Sequence, residues 1–277
     1  MNTPWQENDL IVNDELLHFY ELGDPGHPPL VLVHGFSDNG LCWLDTANEL
    51  NENYRIIMPD ARGHGKSERL KPNGIIDYPA DLAGIIRGLG IEKPIVAGHS
   101  MGGIIASSLA ARFPDLVGAL ILEDPAWWIN DRESPRFAGD DQVNPLEIWI
   151  RNLVQLPKDR IFLECREEHP VWSDNVIHYW NEGKLQLDLN IFKSVNFHEF
   201  QWQEVVKEIK CPTLLITANP ERGGIITPEV ISFVKKSNNL FKIETIPEAS
   251  HHIRFDCFEA YMKVFFEFLK SLQKEPF

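Results

Sequence analysis

Gly98-His99-Ser100-Met101-Gly102, followed by Gly103, sets a serine between two glycines, each two residues away. The apolar run ending at His99 leads into it and a helical pattern over 101–113 leaves it, so Ser100 is predicted on a tight strand-to-helix turn. Such a turn strains the serine backbone and exposes its hydroxyl. Side chains two positions to either side would collide across it, hence the glycines. A serine hydroxyl is a poor nucleophile until a base takes its proton. Pro247-Glu248-Ala249-Ser250-His251-His252, after the last strand pattern and before the last helical one, supplies that base: His251, with His252 read as a supporting or surface group. Adjacent histidines raise the question of a metal, but neighbouring loop residues seldom converge on one ion and no partner ligands are spaced around them. No metal and no cofactor are expected. A serine and a histidine so arranged suit acyl transfer.

Both groups need a scaffold that brings them to one place. Residues 7–12 and 15–22 read as an antiparallel pair joined by Asn13-Asp14. Six apolar runs follow, at 29–34, 54–59, 94–99, 119–124, 212–217 and 241–246, of the kind that forms strands buried on both faces. Helical patterns at 77–89, 101–113, 228–237 and 255–272 alternate with them. This alternation predicts an α/β fold: a mostly parallel sheet of eight strands, helices on both faces, with Ser100 and the histidine loop at the same sheet edge. Between Asp124 and Pro212 no strand pattern occurs, and six of the eight tryptophans fall there (Trp127, Trp128, Trp149, Trp172, Trp180 and Trp202). That interval, 125–211, is predicted to be an inserted helical cap over the C-terminal sheet edge. The core is then 1–124 plus 212–277.

The sequence resembles the α/β-hydrolase superfamily over nearly its whole length outside the aromatic insert. The resemblance is carried by His34-Gly35-Phe36, by Asp60-Ala61-Arg62-Gly63-His64-Gly65-Lys66-Ser67, by Gly-His-Ser-Met-Gly-Gly at 98–103 and by the histidine loop near the carboxyl end. The family pattern of a small residue and then histidine selects His251 over His252, although Ser250 stands where glycine is usual. By the same resemblance the backbone N–H groups of Phe36 and Met101 form an oxyanion hole. The triad order serine, acid, histidine leaves two candidates for the acid. Glu221 occupies the usual place after the strand at 212–217, but that place usually carries Asp, and Arg222-Gly223-Gly224 lengthens the loop. Asp124 follows the preceding strand, where some members of the superfamily take their acid. Asp124 is preferred, because its shorter side chain requires no remodelled loop, and Glu221 is the alternative. Gly63-His64-Gly65-Lys66-Ser67 ends like a phosphate loop, but the required first glycine falls on Asp60, so it is read as the hydrolase turn after the fourth strand.

The resulting expectation is a serine hydrolase that cleaves carboxylic esters or lactones of small, largely apolar molecules, with Trp127, Trp128 and His99 contacting substrate. Serine at the elbow argues against the dehalogenases and epoxide hydrolases of the superfamily, which attack with Asp. Two other readings use the same residues: a carbon–carbon (diketone) hydrolase, for which Arg132, Arg136, Arg151 and Arg166 could hold an anionic substrate, and a slow-turnover ligand receptor. Composition agrees with an ordinary globular chain of 277 residues, 43% hydrophobic and 24% charged. Its formal charge of −15 argues against nucleic acid as a partner. No apolar run is long enough to span a membrane and the amino terminus lacks a secretory pattern, so a cytoplasmic monomer or homodimer is expected, with Cys42, Cys165, Cys211 and Cys257 as reduced thiols.

Overall fold

The computed structural model describes residues 5–71, 76–128, 145–194 and 200–273. The chain opens with a hairpin of β1 (Gln6–Val12) and β2 (Glu15–Leu22). It turns on Asn13 and Asp14, whose φ angles of 54° and 64° are those of the tight turn that matches strand twist. There follow β3 (Pro29–Val33), α1 (Leu44–Leu50), β4 (Arg55–Pro59), α2 (Tyr78–Gly88), β5 (Ile95–His99), α3 (Met101–Arg112) and β6 (Ala119–Glu123). A helical stretch comes next: α4 (Pro145–Leu153), α5 (Lys158–Glu168), α6 (Asp174–Gln186), α7 (Ile191–Ser194) and α8 (Trp202–Glu208). The chain closes with β7 (Thr213–Thr217), α9 (Pro228–Ser237), β8 (Phe241–Thr245), α10 (Ile253–Asp256) and α11 (Phe258–Leu272).

The eight strands form one sheet in the order β1-β2-β4-β3-β5-β6-β7-β8. Only the β1–β2 and β2–β4 pairings are antiparallel. Central strands are buried on both faces, and their alternate residues feed two cores, as period-two geometry requires. Val31, Val96, Leu120 and Leu215 pack with α2, α3, α8 and α9 on one face. Leu32, Ala97, Ile121 and Ile216 pack with α1 and α11 on the other. Parallel crossovers bring the carboxyl ends of β3, β5, β6, β7 and β8 to one edge, which carries Ser100, Asp124 and the 247–252 loop.

A third, small core joins Cys165, Trp172, Val176 and Ile177 of the helical stretch to Cys42 and Phe255. It ties α5 and α6 to that edge of the sheet. Helix α8 departs from the expected cap. It packs on α3 and α9 in the layer beside the sheet, because Val206 is fully buried there and Trp202 stacks on Trp127 at 5.7 Å. All four cysteines are free thiols. No described helix is long and apolar enough to cross a membrane.

Candidate active site

Ser100 sits between β5 and α3 with φ 54° and ψ −116°, a conformation that side-chain-bearing residues rarely adopt. The flanking glycines are explained by contact. A Cβ on Gly98 would meet the Gly102 carbonyl oxygen at 2.2 Å, and one on Gly102 would meet that of Val33 at 2.2 Å. The carbonyl of Ser100 accepts from the N–H groups of Gly103 and Ile104, so the helix begins at once. Met101 is its first residue, and first-turn amides of a helix have no acceptor inside it.

His251 reaches the same place from the loop after β8. Its Nδ1 is 2.7 Å from Oδ2 of Asp124. Asp124 is fully buried at the end of β6, with a φ of 38°. Its carboxylate also accepts the N–H groups of Ile225 at 2.8 Å and Ile226 at 3.2 Å. The long loop after β7 thus contributes two backbone donors to the carboxylate that follows β6. Glu221 stands exposed in the short turn Pro220–Arg222. The histidine loop is pinned by Asp256, whose Oδ2 accepts both the N–H and the hydroxyl of Ser250, at 2.8 and 2.5 Å. Oδ1 of the same carboxylate accepts the Trp172 indole N–H at 2.8 Å, linking the helical stretch to the loop. Serine in place of the usual glycine at 250 therefore has a local role.

His34 fixes the loop that carries Phe36. Its Nε2 accepts the Ala61 N–H at 3.0 Å, which leaves Nδ1–H to donate to the Gly35 carbonyl at 2.7 Å. Asp60 acts likewise, accepting the N–H groups of Gly40 and Lys66 at 2.7 and 2.8 Å. The 60–67 segment is thus an internal brace: the Ser67 hydroxyl donates to the Asp60 carbonyl and accepts the His18 N–H.

Ser100, Met101, His251 and Phe36 line a cavity of about 350 Å³, together with His99, His252, Trp128, Trp149, Trp180 and Lys184. Trp127 does not line it, which corrects its assignment to substrate. Its side chain is fully buried between Trp202 and Phe241 in the core below. Trp128, one residue on, faces the cavity because successive residues of extended chain point to opposite sides. The proposed anion-binding arginines fare no better. Arg151 pairs with Glu147 on the surface and Arg166 with Asp174 and the Trp172 carbonyl, while Arg132 and Arg136 lie outside the described residues. Among the described residues the cation at the cavity wall is Lys184, and its Nζ is paired with buried Asp38 at 2.6 Å.

Two contacts beside the site were not legible in the sequence. Glu123, buried at the end of β6, accepts the Arg254 N–H at 2.9 Å and its guanidinium at 2.8 Å. The Arg254 guanidinium lies 4.0 Å over the Trp43 ring. This pair fastens α10 to the sheet one residue before the acid. His99 donates its Nε2–H to the His251 carbonyl at 3.0 Å, and burial pushes both His99 and His252 well below the ordinary histidine pKa. Only their spacing of more than 150 residues along the chain hid this contact.

A serine on a strained elbow and a histidine thus share one cavity wall, and a buried carboxylate holds that histidine. Sequence comparison gives this arrangement its family. The family model described as alpha/beta hydrolase fold matches residues 28–253. The chain belongs to the α/β-hydrolase fold family. It is 28% identical to epoxide hydrolase 3 of Xenopus tropicalis, across 92% of this chain and 74% of that protein. Among solved structures it is similar to a putative aryl esterase from Burkholderia cenocepacia, with a TM-score of 0.77, 18% identity, and coverage of 98% and 100% of the two chains. Naproxen esterase from Bacillus subtilis is also similar, with a TM-score of 0.73, 19% identity, and coverage of 96% and 92%. At those identities the structural likeness shows the α/β-hydrolase fold alone.

Proposed function

We propose that this α/β hydrolase cleaves carboxylic esters or lactones of small, largely apolar molecules through an acyl-enzyme on Ser100. The observation that carries the reading is that Ser100 and His251 line one cavity while buried Asp124 bonds to the His251 ring at 2.7 Å. Asp124 accepts the Nδ1–H of His251, so the lone pair of the imidazole is on Nε2, the nitrogen a general base must present. His251 takes the Ser100 proton as Oγ attacks the carbonyl carbon. The N–H groups of Phe36 and Met101 receive the developing oxyanion, each donor contributing on the order of 3 kcal/mol, and the positive end of α3 adds to them. The imidazolium returns its proton to the leaving alkoxide. Water deprotonated by the same histidine then attacks the acyl carbon and frees Ser100.

The chemistry of the nucleophile separates this from the epoxide-opening activity named for the Xenopus tropicalis relative. Serine attack on an epoxide would leave an ether on the enzyme, and this site has no means of cleaving one, whereas an acyl ester is hydrolysed by the same base. Phe36, Trp128, Trp149 and Trp180 suit an apolar acyl or alcohol group, and the Lys184–Asp38 pair adds no net charge to the cavity. A carbon–carbon hydrolase acting on anionic diketones would require a net positive wall, so it is the weaker reading.

The test is turnover of short-chain aryl esters and lactones. An initial burst followed by steady hydrolysis, abolished in Ser100→Ala and by a phosphonate that labels Ser100, is the expected result. A burst of one equivalent without turnover would favour the slow receptor. No reaction of intact Ser100 with any ester, lactone or phosphonate would overturn the proposal.

A further inference from the structure

The carboxyl end of β5 and the loop after β8 bring three imidazoles face to face. Ring centroids lie 4.6 Å apart for His99 and His251, 5.3 Å for His99 and His252, and 5.3 Å for His251 and His252. One ring nitrogen from each falls within 4.8 Å of the other two. A tetrahedral zinc with Zn–N bonds of about 2.1 Å needs its nitrogens roughly 3.4 Å apart, so each has to move inward by less than about 1 Å.

The hydrogen bonds already made decide which lone pairs are on offer. His99 donates Nε2–H to the His251 carbonyl, so its Nδ1 is the unprotonated nitrogen. That Nδ1 is buried and has no hydrogen-bond partner. His251 donates Nδ1–H to Asp124, leaving the lone pair on Nε2. His252 Nδ1 is a second buried nitrogen without a partner. A buried polar atom left unpaired costs free energy, and two of them on neighbouring rings require an explanation. The bonds behind the lone pairs are those that metal-ligating histidines use: a ring N–H given to a carboxylate in one case and to a backbone carbonyl in the other. Glu123 pairs with Arg254 and Asp38 with Lys184, so Asp124 and Asp256 remain as negative groups beside an incoming cation. Three imidazole nitrogens with no oxygen ligand suit zinc and its borderline neighbours and exclude magnesium and calcium.

The geometry points to a regulatory metal site: His99, His251 and His252 bind one divalent zinc-like ion, which occupies the Nε2 lone pair of His251 and reversibly silences the enzyme. The functional half of this statement rests on His251 being the base of the proposed hydrolase, whereas the binding half does not. No proton changes hands: the ion takes three lone pairs and leaves the N–H bonds to Asp124 and to the His251 carbonyl in place.

The experiment uses the full chain stripped with EDTA. Calorimetric titration with zinc should show one site, and cobalt should give the intense visible absorption of a tetrahedral complex. Ester turnover should fall at least tenfold on adding zinc, recover with EDTA, and ignore magnesium. His252→Ala and His252→Gln should each weaken zinc binding at least tenfold. The ratio of rates with and without zinc is read within each variant, so any change in basal rate cancels. Unchanged zinc affinity in both variants, an octahedral cobalt spectrum, or a rise in turnover with zinc would overturn the site. If no ester is turned over at all, the titration and the cobalt spectrum still decide the binding, and only the hydrolase reading falls.

Discussion

Two carboxylates compete for His251, and they differ in what surrounds them. Asp124 is buried, bonded to the imidazole and held by two backbone amides, whereas Glu221 is exposed on a short turn. Asp124→Asn should therefore lower kcat by up to about 10⁴-fold in steady-state ester hydrolysis, because an amide cannot hold the productive tautomer of His251. Glu221→Gln should stay within about twofold of the parent. The adjacent tryptophans should separate just as cleanly. Trp128→Ala, which removes part of the cavity wall, is expected to raise KM more than it lowers kcat. Trp127→Ala leaves a hole against Trp202 and Phe241 and should cost about 3–5 kcal/mol in urea denaturation, with KM unchanged.

At the scale of elements, the site depends on short segments fastened to the sheet by buried charge. Helix α10 has only four residues and is held by Arg254 to Glu123, both nearly inaccessible to solvent. Breaking one partner of such a pair leaves an uncompensated charge. Arg254→Met should therefore destabilise the fold by about 3–5 kcal/mol in denaturant melts, while the double change with Glu123→Leu should recover part of the loss. Because α10 follows His252 directly, the single variant should also lower kcat by loosening the histidine loop. The strand and helix patterns along the chain predicted nearly every core element, with ends within one residue for most strands. They did not reveal that α8 joins the layer beside the sheet, since the apolar face of a short helix does not say which neighbour it meets. Nor did they show that the loop after β7 supports Asp124 through backbone amides, which carry no side-chain signature.

For the whole molecule, buried histidines couple stability to pH. Burial holds His34 below, and His64 well below, the ordinary histidine pKa, as it does His99 and His252. In the unfolded chain these groups titrate near 6.5. Below that pH the unfolded state binds more protons, so stability falls as pH falls, by about 1.4 kcal/mol per pH unit for each histidine. Asp81, pushed up to about 6 chiefly by burial, works in the opposite sense, because the folded form takes up its proton first. Asp60 and Glu123, also raised by burial, do the same. The net loss should thus set in as pH falls through about 6.5 and continue from about pH 7 to 5, less steeply than the four histidines alone would give. Urea midpoints measured across that range check it, and His64→Asn should reduce the slope by close to one proton.

The amino-acid sequence by itself determined the α/β-hydrolase fold, the strained serine elbow and the histidine loop that meets it at the same sheet edge. Those features rest on local rules: apolar runs long enough for buried strands, glycines where a Cβ would strike a backbone oxygen, and a loop placed after the last strand. Tertiary structure alone decided which carboxylate meets His251, which of two adjacent tryptophans faces the cavity, and that His99 stands beside His251 and His252. Each of those outcomes is a distance between residues far apart in the chain, set by sheet order and by the direction in which a side chain leaves its strand. Residue types and spacing name the groups able to do chemistry, and packing selects the ones that meet.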